Sequence, residues 1–348
     1  METFWYIALT FMLIMYVILD GFDLGAGIIH FWAGKDEHER RIILNAIGPY
    51  WDGNEVWLVA AGGTLYFAFP KLYASSFSGF YLPLILVLWV LILRALGIEF
   101  RHHLRHPMWK MFWDRTFSVG SLLLVIFLGA ALGNIIRGVP LNEEGYFFVP
   151  LWTNFSPGEQ PGVLDWFTLL FVAVAVSTLM VHGAHFLAFK TAGKLQQRAA
   201  RIAGRAWWAM TASSVLALVA VYYVRPDFWP NLGERPAGLF FLILSIAAWW
   251  AMAFFNRKGE HFRAFLSSSA FIAGMGATTA WAHYPIMLYA TTDPGRHLTI
   301  YNAASSAYGL KIGLMWWIPG MLLACGYFAF LFYVFRGKIT SVPEDSGY

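Results

Sequence analysis

Long apolar runs alternate with short charged connections along the whole chain. Nine runs stand out, at residues 5–32, 50–69, 80–100, 117–136, 166–189, 207–224, 237–255, 265–290 and 308–335. Each is near the roughly 20 residues that a helix needs to cross a bilayer. None shows the strict alternation of a membrane β-barrel strand. The pattern predicts an all-α polytopic membrane protein with nine transmembrane helices, divisible into two four-helix bundles plus one additional helix. Lys and Arg sharpen this reading. Connections after the odd-numbered runs, with the C-terminal tail, hold 17 of these residues, against 5 in the other connections. Basic residues favour the cytoplasmic side, so the N-terminus is expected outside and the C-terminus in the cytoplasm.

Composition agrees with a membrane protein. Of 348 residues, 59% are hydrophobic and 13% charged, and mean hydropathy is +0.56. A soluble domain carries about 25% charge. No basic start precedes the first run, so a cleaved signal is not expected. No soluble domain or low-complexity stretch interrupts residues 1–348, which read as one integral membrane domain. The lone Cys325 cannot form an internal disulfide, and lipid contact or packing is its expected setting. The pI near 9.1 reflects the basic connections and implies no nucleic-acid partner. Residues 137–164, rich in Pro, Gly and aromatics, suggest a folded cap in the headgroup region. The 17 Trp and 16 Tyr gather near run ends, as in an interfacial belt. YFAFPKLYASS and AHYPIMLYATT echo each other, which raises the prospect of an internal duplication.

Against this background, charges inside the runs are conspicuous. A charge at bilayer depth costs roughly 2.5–3.5 kcal/mol on insertion scales and usually faces a bundle interior. DGFDLGAG places Asp20 and Asp23 three residues apart, on one helix face. Asp23 precedes Lys35 by 12 residues, about 18 Å of helix. GPYWDGNEVW opens the second run with Asp52 and Glu55, again three apart, after Gly48-Pro49, which reads as a helix start. The third run adds Arg94 and Glu99 near its cytoplasmic end. Acids and a guanidinium from consecutive helices are thus expected at similar depth. Two readings stay open, a proton-conducting group and a buried ion-pair network that fixes packing. Acids in a first helical turn also oppose the macrodipole, which accounts for one acid better than for four. Gly21-xxx-Gly25 fits close helix approach, with a substrate-binding break as the alternative. His182 and His185 share a helix face in the fifth run, where interface packing, lipid contact or a relay are open. His283 and Lys311 read as packing or snorkelling groups, and HHLRH at 102–106 as a cytoplasmic cluster. No P-loop, CxxC, dinucleotide fingerprint or HExxH is present, and no metal site or redox centre is expected in this chain.

GFDLGAG followed by GPYWDGNEVWL resembles subunit II of cytochrome bd-type quinol oxidases. FPKLYASSFSGFYLPLILVL, GNIIRGVPL, HGAHFLAFKT and LTIYNAASS extend the resemblance over nearly the whole chain. RGVPLNEEGYFFVP and SPGEQPGVLDWFT resemble the cyanide-insensitive branch. The resemblance implies a bacterial inner-membrane complex that oxidises quinol and reduces O2 to water. It implies a haem-bearing partner, subunit I, carrying haem b and haem d (or b in its place), and allows a structural quinone and a small single-helix accessory subunit. This chain would hold no catalytic residue. It would support subunit I and contribute a cytoplasmic proton path through Asp52, Asp23 and Asp20. Glu55 stands where some members have Gln. A proton-coupled secondary transporter and a purely structural scaffold are the rival readings.

Overall fold

The computed structural model describes residues 1–340, so the last eight residues of the expected single domain lie outside the described part. Among the described residues, thirteen α-helices carry the chain. The first is α1 (Glu2–Ile28), followed by the single turn α2 (His30–Ala33) and the amphipathic α3 (Glu37–Ile47). Next come α4 (Trp51–Ala68), α5 (Pro70–Gly79), α6 (Tyr81–Glu99) and α7 (Pro107–Arg137). The second half holds α8 (Trp166–Lys190), α9 (Gly193–Val224), the short α10 (Phe228–Gly233), α11 (Ala237–Lys258), α12 (His261–His283) and α13 (Ala307–Val334). Each of the nine apolar runs is helical over most of its length. Seven helices (α1, α6 with the turn that follows it, α7, α8, α9, α11 and α13) are long and apolar enough to cross a membrane.

Two sets of helices pack internally and against each other. In one, α1 lies against α4 and α7, and α6 against α7. In the other, α8 lies against α9 and α12, and α11 against α12 and α9. The groups meet where α8 and α12 pack on α1 and α8 packs on α7. α13 stands apart with little buried surface. It touches the rest through aromatic pairs such as Trp5–Trp317 at 6.1 Å and Tyr50–Phe332 at 4.9 Å. Glycine fixes the central crossing. A Cβ on Gly25 would lie 2.0 Å from the Leu179 carbonyl oxygen, and one on Gly183 would lie 2.3 Å from the Gly25 backbone. Only glycine lets the two backbones approach this closely. α1 runs unbroken through Gly21, Gly25 and Gly27, so these residues pack helices and do not open a break.

Three local expectations need correction. The first run is not one helix, because α1 stops at Ile28 and the chain turns into α2. Gly48-Pro49 lies in a turn, and α4 begins two residues later at Trp51. The eighth run leaves the helix at His283, because Pro285 disfavours α geometry at the residue before it. Ile286–Leu288 instead forms a short antiparallel ladder with Leu298–Thr299. The two echoed stretches therefore differ, since Pro70 starts α5 whereas Pro285 leads into a strand. Residues 138–165 contain no helix. They are held down by Arg137, which bonds Asp165, the Gly162 carbonyl at 3.1 Å and Asn134 at 2.6 Å. Asp165 also closes a capping box with Thr168 at the start of α8. Cys325 is exposed on α13.

Candidate functional site

Three helices build a buried acidic cluster. α1 contributes Asp20 and Asp23, one turn apart and both wholly buried. α4 packs on α1 and brings Asn54 and Glu55, and α6 delivers Arg94, also wholly buried. The Arg94 guanidinium donates to Asp20 Oδ1 at 2.6 Å through one nitrogen and to Glu55 through the other. Asn54 Nδ2 donates to Asp23 Oδ2 at 2.7 Å and to the Leu19 carbonyl at 3.0 Å. Four polar atoms here have no partner among the described residues, namely Asp20 Oδ2, Asp23 Oδ1, Asn54 Oδ1 and Arg94 Nε. One guanidinium thus bonds two carboxyl groups, and a third, Asp23, lies one turn from Asp20 with Asn54 as its donor. Full ionisation would leave uncompensated negative charge in a low-dielectric site, which is expensive unless a proton is taken up.

The remaining expected residues divide. Asp52 occupies the exposed face of the first turn of α4 and has no bonding partner among the described residues. It lies one turn from Glu55, whose side chain is 24% exposed. Asp52, Glu55 and Arg94 therefore step from the surface of the chain to its interior. Glu99 is not among the acids bonded by Arg94; it follows by five residues, which turns it well away from that face. His182 lies against α1 and α12, with Nε2 2.8 Å from the Ile18 carbonyl and Nδ1 2.7 Å from Ser268 Oγ. Both nitrogens are engaged by protein, so His182 does not fit an axial haem ligand. His185 is buried too, but its Nδ1 has no partner. His283 is buried and bonded to the Thr279 carbonyl, and Lys311 is exposed.

A second charged centre was not expected. Asp114 of α7 is wholly buried and takes Arg101 Nε at 2.6 Å, Arg40 Nε at 3.0 Å and His30 Nε2 at 3.1 Å. Here one carboxylate serves several cationic or polar donors, the reverse of the α1 cluster. Glu37 extends this hub to Lys110 at 2.9 Å. Burial would raise the Glu37 pKa, but Lys110, Arg101 and Arg41 outweigh it and hold the carboxyl below its ordinary value. At the opposite end, Arg225 grips Asp227 with two hydrogen bonds, at 3.0 and 2.6 Å, and donates to the Ile136 carbonyl at 2.8 Å. Its guanidinium also lies 3.3 Å from the centre of the Tyr289 ring.

Residues 1–335 match the family described as cytochrome bd terminal oxidase subunit II. The chain is 32% identical to a probable cytochrome oxidase subunit 2 of Haemophilus influenzae, over 93% of this chain and 91% of that protein. It is 30% identical to the cytochrome bd-I ubiquinol oxidase subunit 2 of Escherichia coli, over 97% and 94%. A solved structure, the bd oxidase of Geobacillus thermodenitrificans, superposes with a TM-score of 0.76 at 20% identity, covering 96% of this chain and 98% of that one. This likeness shows the shared fold. The chain belongs to the cytochrome bd terminal oxidase subunit II family, whose relatives are subunits of an oxidoreductase complex. Its apolar helices and bacterial relatives make it a multi-pass protein of the inner membrane.

Proposed function

We propose that the chain is the haem-free subunit II of a quinol-oxidising, O2-reducing complex and that its acidic cluster supplies a cytoplasmic proton path to subunit I. On this reading α4 and α12 also span, which gives nine spans. The basic connections face the cytoplasm. The family assignment supports the complex and leaves the transporter reading with no observation in its favour.

One observation carries the proton path. Asp52 and the partly exposed Glu55 lie on the outer face of α4, in line with the exposed Val56, Val59 and Tyr66. Acids on such a face are expensive against lipid, so this face is expected to be covered by subunit I. Haem in that partner would supply the oxygen chemistry, and reduction of O2 to water consumes protons. Asp52 would accept a proton from the cytoplasmic side and Glu55 would pass it toward the partner. Asp20, Asp23 and Arg94 would set the charge against which Glu55 loads and releases.

The test is the Asp52→Asn complex, purified with subunit I. Haem spectra and yield should match the wild type, while O2 consumption per haem falls by about tenfold or more, within the range of general acid–base contributions. Unchanged turnover would refute the path and leave the cluster as scaffold. Loss of haem would assign Asp52 to assembly.

A further inference from the structure

A crevice at the basic end of the second helix group carries an unassigned polar lining. It opens between α8, α9 and α11, holds about 50 Å3 of free space and is lined by His185, Gly204, Trp207, Trp208, Asn256 and Arg257. By the usual requirement for a bound water, that is room for roughly three or four waters. His185 is 1% exposed, and its Nδ1 has no partner. Asn256 donates to the Ala200 carbonyl at 3.1 Å while its buried Oδ1 is unpartnered. Two unsatisfied polar atoms in one small space ask for a polar guest, because each is costly to leave unmade.

The mouth indicates which guest. Arg257 and Lys258 form the last turn of α11, and Arg205 is exposed on α9. None of the three has an ion-pair or hydrogen-bond partner among the described residues. The nearby acid, Glu260, is engaged by Arg263 at 2.6 Å. Trp208 is 64% exposed beside them, a side chain suited to the headgroup level of a bilayer. The outer crevice is therefore cationic and aromatic, and on the proposed topology it lies at the cytoplasmic membrane interface, while its inner end offers hydrogen bonds in a space too small for a nucleotide or a peptide.

We propose that this crevice is a specific site for an anionic glycerophospholipid of the phosphatidylglycerol type. Its phosphate meets Arg257 at the mouth, and its headgroup hydroxyls enter to bond His185 Nδ1 and Asn256 Oδ1. Zwitterionic phosphatidylethanolamine would bring an ammonium toward Arg257 and bind less well. Phosphatidic acid would supply charge without the hydroxyls.

Two variants probe the site by independent means. Arg257→Gln removes the cation at the mouth. Gly204→Leu fills the crevice from the α9 wall, since a Cβ at Gly204 points toward Asn256 Nδ2 at 3.4 Å. The assembled complex, stripped of loosely held lipid, is mixed with equal amounts of phosphatidylglycerol, phosphatidylethanolamine and phosphatidic acid, and bound lipid is counted by native mass spectrometry. Wild type should retain one more phosphatidylglycerol than either variant. Affinity for that molecule should fall by about tenfold in Arg257→Gln, the effect of losing one charge-assisted hydrogen bond. Haem content should stay constant in that exposed-residue variant. The proposal is overturned if wild type and Arg257→Gln retain the same lipids. It is also overturned if phosphatidylethanolamine or phosphatidic acid binds as well, or if excess inorganic phosphate displaces the lipid, which would make the crevice a simple anion site.

Discussion

Two buried charged centres in this molecule use the same chemistry with opposite balance. In the α1–α4–α6 cluster one guanidinium faces three carboxyl groups, and four polar atoms are left without partners. At Asp114 one carboxylate receives Arg101, Arg40 and His30, and both of its oxygens are used. The difference matters because the two kinds of excess relax differently. Surplus carboxyl groups can take up a proton, whereas surplus guanidinium groups cannot lose one. On the proposed reading the first centre changes charge by taking up a proton, whereas the guanidinium groups of the second keep theirs. Its position agrees, since the acidic cluster reaches an exposed face of α4 while the Asp114 hub ties α2, α3 and the turn after α6 onto α7. One suits proton handling and the other suits bracing.

The largest expected effect comes from stripping the brace. Asp114→Ala leaves its cationic partners buried and uncompensated, and should lower stability by about 3–5 kcal/mol. Thermal melting and yield of the assembled complex would report it, with turnover per surviving haem near wild type. Arg94→Met should cost less, about 1–3 kcal/mol, because the acids it abandons can neutralise themselves by protonation. Its O2 turnover should nevertheless drop. A larger stability loss in Arg94→Met than in Asp114→Ala would reverse the comparison. The smallest effect is expected at Glu37. Its folded pKa lies below the ordinary value, so its contribution is present above the unfolded pKa, near 4.3, and is lost as pH falls through the folded value. Glu37→Gln should therefore melt slightly below wild type at pH 7 and converge with it in acid, as followed by thermal melting across pH.

Much of this was legible in the chain. The nine runs locate the helices because burial in lipid demands length and apolarity, and the three-residue spacings place Asp20 with Asp23 and Asp52 with Glu55. The convergence of those acids with Arg94 follows from depth alone. What depth does not give is rotation about the helix axis. That is why Asp52 points outward from the cluster, and why Glu99, five residues past Arg94, lies off its face. Asp114 was missed because it falls just before the apolar run that starts near residue 117, and its partners come from separate connections. Asn54 carries no charge to draw notice, although it holds Asp23. The break at Pro285 was written in the sequence but masked by continuing hydrophobicity.

Asp52 is where the outer face of α4 first offers an acid to the cluster, so the most direct measurement is O2 consumption per haem by the Asp52→Asn complex, compared with Asp114→Asn at equal haem content. Turnover is expected to fall by about tenfold or more in Asp52→Asn with stability nearly unchanged. Asp114→Asn should show the opposite, with stability lost and turnover per haem kept. Full turnover in a stable Asp52→Asn complex would contradict the proton path.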